Sequence, residues 1–161
     1  MKYALVTGGS RGIGRAICLK LAEMGLPVLV NYQSNVAAAE ETKSLIEANG
    51  GTAELFPFDV ADSASVEKTL TDWQAAHTED YIAVLVNNAG IKKDNLMFWM
   101  SDDEWHNVIN TNLNGSFYTT RVLVKYMMTK KFGRIINIVS ISGVNGMAGQ
   151  TNYSTAKSGV I

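Results

Sequence analysis

The sequence predicts an α/β fold, a doubly wound parallel sheet with five strands in the order 3-2-1-4-5. Short apolar runs alternate with longer amphipathic ones along the 161 residues, the succession that builds βαβ units. The runs Leu5-Val6, Val28-Leu29-Val30 and Val84-Leu85-Val86 are continuously apolar, as strands are when helices cover both faces of a parallel sheet. A glycine-rich turn follows the first run, at the end of the sheet where such folds bind ligands.

Each element follows from its own pattern. Tyr3-Ala4-Leu5-Val6 forms the first strand. Apolar residues at Ile13, Ala16, Ile17, Leu21 and Met24 have helical period and give a helix over 13–24, stopped by Gly25. Val28-Leu29-Val30 is the second strand. A helix over 36–48 ends at Asn49-Gly50-Gly51, and the third strand covers 53–58. A helix over 66–76 leads to the fourth strand, 82–86. Ser101-Asp102-Asp103-Glu104 reads as a capping box that opens a helix at Trp105. A long helical stretch then covers 108–130 with Gly115 inside it. The fifth strand covers 134–139, and a last helix begins near Asn152.

Composition narrows the class. Hydrophobic residues make up 47% and charged residues 18% of the chain, proportions of a soluble globular domain. The net charge of −1 gives no electrostatic case for nucleic acid. Cys18 is the only cysteine, which excludes an intramolecular disulfide and fits a reducing compartment. No apolar run approaches the ~20 residues of a membrane span. The first strand begins almost at Met1, leaving no room for a signal peptide, so the cytoplasm is the expected location. Ser158-Gly159-Val160-Ile161 lies inside an apolar helical stretch without a C-cap. The expectation is therefore a single domain over 1–161, truncated at its C-terminus, whose fifth strand leaves a hydrophobic edge open if it lies at the sheet margin.

Several motifs carry chemistry. The first turn reads Thr7-Gly8-Gly9-Ser10-Arg11-Gly12-Ile13-Gly14. Its glycines would let backbone amides approach a pyrophosphate at a helix N-terminus, although their spacing differs from G-x-G-x-x-G. The second strand ends Val30-Asn31-Tyr32-Gln33-Ser34, without the acid that would bind a ribose 2′-hydroxyl and repel a 2′-phosphate. With Arg11 in the turn, that absence favours NADP over NAD. Asp59-Val60 and Asn87-Asn88-Ala89-Gly90 follow the third and fourth strands. Tyr153 and Lys157 stand four residues apart, which puts them on one helix face. An ammonium beside a phenol favours the phenolate.

Thr7-Gly8-x-x-x-Gly12-x-Gly14, Asn87-Asn88-Ala89-Gly90, Ser140 and Tyr153-x-x-x-Lys157 occur in one order and spacing. In this combination the chain resembles the short-chain dehydrogenase/reductase family along essentially its whole length. Within it, Asn88-Ala89-Gly90-Ile91, Asp94-Asn95-Leu96, Thr111-Asn112-Leu113, Gly133-Arg134-Ile135-Ile136 and Gly149-Gln150-Thr151-Asn152-Tyr153 are most similar to 3-oxoacyl-[acyl-carrier-protein] reductases. Gln150 to Lys157 is also similar to acetoacetyl-CoA reductases. The resemblance implies a Rossmann-like NAD(P)-binding domain. It implies NADPH-dependent reduction of 3-oxoacyl-[acyl-carrier-protein] to the 3-hydroxyacyl product in fatty acid biosynthesis.

Carried over by residue, the resemblance makes Tyr153 the proton donor. Lys157 becomes the lysine that tunes Tyr153 and binds the nicotinamide ribose. Ser140, thirteen residues before Tyr153, becomes the hydroxyl that bonds the substrate carbonyl. Asn112 becomes the residue that bends the long helix and supports a water-mediated proton relay. Gly8, Ser10, Arg11, Gly12, Ile13, Gly14, Asp59, Val60, Asn87, Ala89 and Gly90 are the remaining cofactor contacts it implies. It also implies a homotetramer, and an acyl-carrier protein or acyl-CoA as the carrier of the substrate. Alternatives are another short-chain ketone reductase, or a non-catalytic dinucleotide-binding or structural subunit; the latter two need no proton relay.

Three signals have simpler readings. His77 and His106 have no second ligand at metal spacing, so no metal is expected. The apolar run Leu96-Met97-Phe98-Trp99-Met100 lines an acyl entrance or is ordinary packing. The cations Lys125, Lys130, Lys131 and Arg134 complement a helix C-terminus or dock an acidic carrier.

Overall fold

The computed structural model describes residues 1–161. Five parallel strands, β1 (Lys2–Val6), β2 (Val28–Tyr32), β3 (Ala53–Pro57), β4 (Tyr81–Asn87) and β5 (Arg134–Asn137), form one sheet in the order β3-β2-β1-β4-β5. The expected doubly wound order is the observed one. Helices α1 (Gly12–Glu23), α2 (Val36–Ala48), α3 (Ser63–Ala76), α4 (Asp102–Ile109), α5 (Gly115–Thr129), the short α6 (Ser142–Asn145) and α7 (Thr151–Val160) connect the strands and follow the last one.

Alternation along each strand divides the core in two. Tyr3 and Leu5 of β1 pack with Phe56, Val66, Leu70, Trp73, Val122 and Leu123 on the α3/α5 face. Ala4 and Val6 pack with Cys18, Leu21, Ala39 and Ile46 on the α1/α2 face. Burial on both faces accounts for the continuous apolar runs. In β4, Ile82 pairs with Tyr3 and Val84 with Ala4, so Ala83 is an extra residue in the ladder. That bulge flips the parity and puts Leu85 in the same cluster as Ile82.

Caps set the helix starts. Asp62 accepts from the Ala64 and Ser65 amides at 3.0 and 3.1 Å, so α3 starts at Ser63, one turn before the apolar pattern does. The expected capping box is present. Ser101 Oγ accepts from the Glu104 amide at 3.1 Å, and Glu104 Oε2 accepts from the Ser101 amide at 2.8 Å. Beyond α4 the helical run continues into α5 through a π-helical turn over Asn110–Asn114, a widening that apolar periodicity does not reveal.

β5 lies at the sheet margin, and Ile135 and Ile136 are 38% and 46% exposed. The strand is shorter than its apolar run: after Ile138 donates to the Asn87 carbonyl at 2.9 Å, the chain turns through Ser140 into α6. No helix is long and apolar enough to cross a membrane.

Candidate active site

A cleft of about 710 Å³ opens at the carboxyl ends of β1, β2, β3 and β4. Gly8, Ser10, Arg11, Gly12, Ile13 and Gly14 form one wall, and Asp59, Val60, Ala89 and Gly90 lie across from them. The turn is built for close backbone approach. A Cβ on Gly14 would stand 2.1 Å from the Gly8 carbonyl oxygen, so no other residue fits there. No side chain caps the N-terminus of α1, which leaves its first amides free for an anion.

Three side chains not singled out as site residues hold this turn. Thr7 Oγ1 accepts from the amides of Asn88 and Ala89, both at 3.0 Å. Asn88 Nδ2 donates to the carbonyls of Thr7 and Gly8 at 2.9 and 3.2 Å. Asn31 Oδ1 accepts from the Gly8 amide at 3.1 Å, while its Nδ2 donates to the carbonyls of Phe56 and Phe58. Asn31 therefore ties β1, β2 and β3 together at the cleft floor. Its signal in the sequence was a polar residue at the end of an apolar strand, which is costly unless paired.

Arg11 and Arg15 differ in role. Arg15 is engaged with Ser10, Ala38, Glu41 and Thr42 and joins α1 to α2. Arg11 is exposed at the cleft wall and has no acidic partner. Across the cleft, Gln33 Nε2 donates to Asp59 Oδ2 at 2.8 Å.

Asn87, Tyr153 and Lys157 do not line the cleft. The Asn87 side chain points between β4, β5 and α5, bonded to Thr119, Thr120 and Asn137. Tyr153 and Lys157 lie on α7, beyond the end of β5. Lys157 is 5% exposed, and its Nζ donates to the Ile138 carbonyl at 2.6 Å, a charge-assisted bond. Burial pulls the Lys157 ammonium below the ordinary lysine range. Its Nζ lies 5.8 Å from the centroid of the Tyr153 ring. Ser140 follows two residues after Ile138 and shares a 3.1 Å hydroxyl contact with Ser142. The Lys157–Ile138 bond, together with Gly143 packed against the α7 backbone at Lys157 and Ser158, thus sets the Tyr-Lys helix beside the end of β5.

Asn112 sits in the π-helical turn, 1% exposed. Its Oδ1 accepts from the Ile91 amide at 2.9 Å and its Nδ2 donates to the Ile91 carbonyl at 2.8 Å. Gly90 makes room for it: a Cβ there would stand 2.5 Å from Asn112 Oδ1. Asn112 therefore fixes the segment that runs from the cleft wall toward Tyr153. No group of three or more His, Cys, Asp or Glu residues could hold a metal ion.

The short chain dehydrogenase family model matches residues 2–161. The chain belongs to the short chain dehydrogenase family. It is 46% identical over 160 residues to the 3-oxoacyl-[acyl-carrier-protein] reductase of Synechocystis sp., covering 99% of this chain and 64% of that protein. It is 47% identical over 163 residues to the 3-oxoacyl-[acyl-carrier-protein] reductase FabG of Vibrio harveyi, covering 99% and 63%. To the FabG of Pseudomonas aeruginosa it is 42% identical over 162 residues, again covering 99% and 63%. The chain thus spans a little under two thirds of the length of these relatives.

Proposed function

We propose that the whole protein reduces 3-oxoacyl thioesters to 3-hydroxyacyl thioesters with NADPH, on an acyl-carrier protein in fatty acid biosynthesis. The observation that supports this reading is the 2.6 Å bond from Lys157 to the Ile138 carbonyl, which ties the helix of Tyr153 to the backbone two residues before Ser140. The relatives' names supply the thioester and its carrier. A cytoplasmic homotetramer is part of the same proposal.

The cleft fits a dinucleotide, since the backbone at Gly8 and Gly14 runs so close together that no side chain could stand at position 14. Gly8, Ser10, Gly12, Ile13 and Gly14 would take the pyrophosphate, and Arg11 a 2′-phosphate. Asp59, Val60, Ala89 and Gly90 would take the adenosine side, with Asn87 bracing that segment from behind. Tyr153 and Lys157 would meet the nicotinamide ribose.

When bound, NADPH supplies the hydride. The rest falls to the chain's own residues. The Ser140 hydroxyl donates to the substrate carbonyl oxygen as negative charge builds there. Tyr153 transfers its phenolic proton to that oxygen. The Lys157 ammonium stabilises the resulting phenolate. Asn112 holds the rim segment at Ile91 against the helix and would support proton delivery back toward Lys157.

Fluorescence titration of the whole protein tests the cofactor reading. NADPH should bind at least about ten-fold more tightly than NADH, and Arg11→Ala should remove most of that preference while leaving NADH affinity unchanged. Equal affinities, or tighter NADH binding, would overturn it.

A further inference from the structure

Lys92 has no part in the chemistry above, yet it lies against its central residue. Its Nζ stands 4.9 Å from the centroid of the Tyr153 ring, closer than Lys157 at 5.8 Å. Both distances are within the ~6 Å over which an aromatic face attracts a cation. An exposed lysine at the end of a loose loop would spread over many rotamers. The segment that directly follows this one, Lys93-Asp94-Asn95, is instead tied to Gly149, Gln150 and Asn152 at the entry to α7.

Asn152, fully buried, donates to the Lys93 carbonyl at 2.9 Å and to the Glu104 carbonyl at 3.1 Å. Asp94 Oδ2 accepts from Gln150 Nε2 at 2.8 Å. The Asn95 amide donates to the Gly149 carbonyl at 2.9 Å. The same Asn152 accepts from the Tyr153 amide at 2.7 Å. One buried side chain therefore sets both the backbone of the ring and the backbone beside the cation. The Lys92 ammonium forms no ion pair; Asp94 is bonded to Gln150, and Glu104 serves its capping box.

We propose that Lys92 is a positioning residue for the proton donor: its ammonium seats on the Tyr153 ring and holds the phenol in the orientation that reaches the substrate oxygen. This rests on the reading of Tyr153 as that donor. Proton transfer requires the two oxygens within about 2.6–3.2 Å, and small displacements of a reacting group cost large factors in rate. The cation acts on the face of the ring and leaves the hydroxyl free for substrate.

The test compares Lys92→Met, Lys92→Arg and Tyr153→Phe in the whole protein. Lys92→Met should lower kcat about ten-fold while KM for the thioester and NADPH affinity stay within about two-fold. Lys92→Arg, which keeps a cation for the ring, should restore most of kcat. Adding Lys92→Met to Tyr153→Phe should cost nothing further. An unchanged kcat in Lys92→Met, a rise in KM alone, or an Arg variant as slow as the Met variant would overturn the proposal. Full activity in Tyr153→Phe would instead overturn the role of Tyr153, and the positioning role with it. A readout independent of turnover is the ring-flip rate of isotope-labelled Tyr153 by NMR. It should rise in Lys92→Met and return in Lys92→Arg, and an unchanged rate would contradict the proposal.

Discussion

Asn112 illustrates how much one side chain can settle at a site. Buried in a π-helical turn, it pairs both its amide groups with the backbone of Ile91. Replacing it with alanine strands a backbone N–H and a backbone carbonyl, each at a cost of about 1–3 kcal/mol when left unsatisfied. Asn112→Ala should therefore lower stability by about 2–3 kcal/mol, read as a shift in the urea midpoint with an unchanged slope. A midpoint within experimental error of the original would mean that Ile91 finds other partners. Candidate residues could be named from the sequence because the chemistry restricts residue type: a glycine turn, a phenol, an ammonium, a hydroxyl. Engagement was not legible. Asn31 read as a missing acid, whereas the structure makes it the bolt between three strands. Nothing local to residue 31 encodes where Gly8 and Phe58 will be.

Among the elements, the start of α4 joins capping to pH dependence. The Ser101 backbone N–H, followed by the Asn95 side chain, holds the Glu104 carboxyl below the usual carboxylate range. A folded-state value below the unfolded one means that the contribution is present above about pH 4.3 and lost as pH falls through the folded value. Glu104→Gln should therefore lower Tm at neutral pH, and the difference from the original protein should shrink on acidification. A difference that stays constant with pH would contradict the capping account. The capping box was legible because it is a local pattern. The Ala83 bulge and the π-helical turn were not, because each is imposed by packing between elements distant in sequence. The exposed face of β5 was anticipated conditionally, and its place at the margin of the sheet meets the condition.

For the molecule as a whole, two apolar clusters grip the sheet and leave its carboxyl end to function. The glycine turn, the cleft and the Ser140 strand end all lie there because a parallel sheet delivers every strand terminus to one side. The doubly wound parallel sheet was legible from alternation, and family membership from the combined motifs. Acyl chain length and the choice between carrier protein and CoA were not, since no single side chain of the cleft encodes either. The central claim is that Tyr153 is the acid of an NADPH-dependent ketoreductase. Its most direct test is NADPH consumption by the whole protein with a 3-oxoacyl-[acyl-carrier-protein] substrate, compared with Tyr153→Phe. Substrate-dependent consumption that falls by about 10²-fold or more in the variant, with NADPH affinity retained, is the predicted result. No consumption by the unaltered protein, or an unchanged rate in Tyr153→Phe, would contradict it.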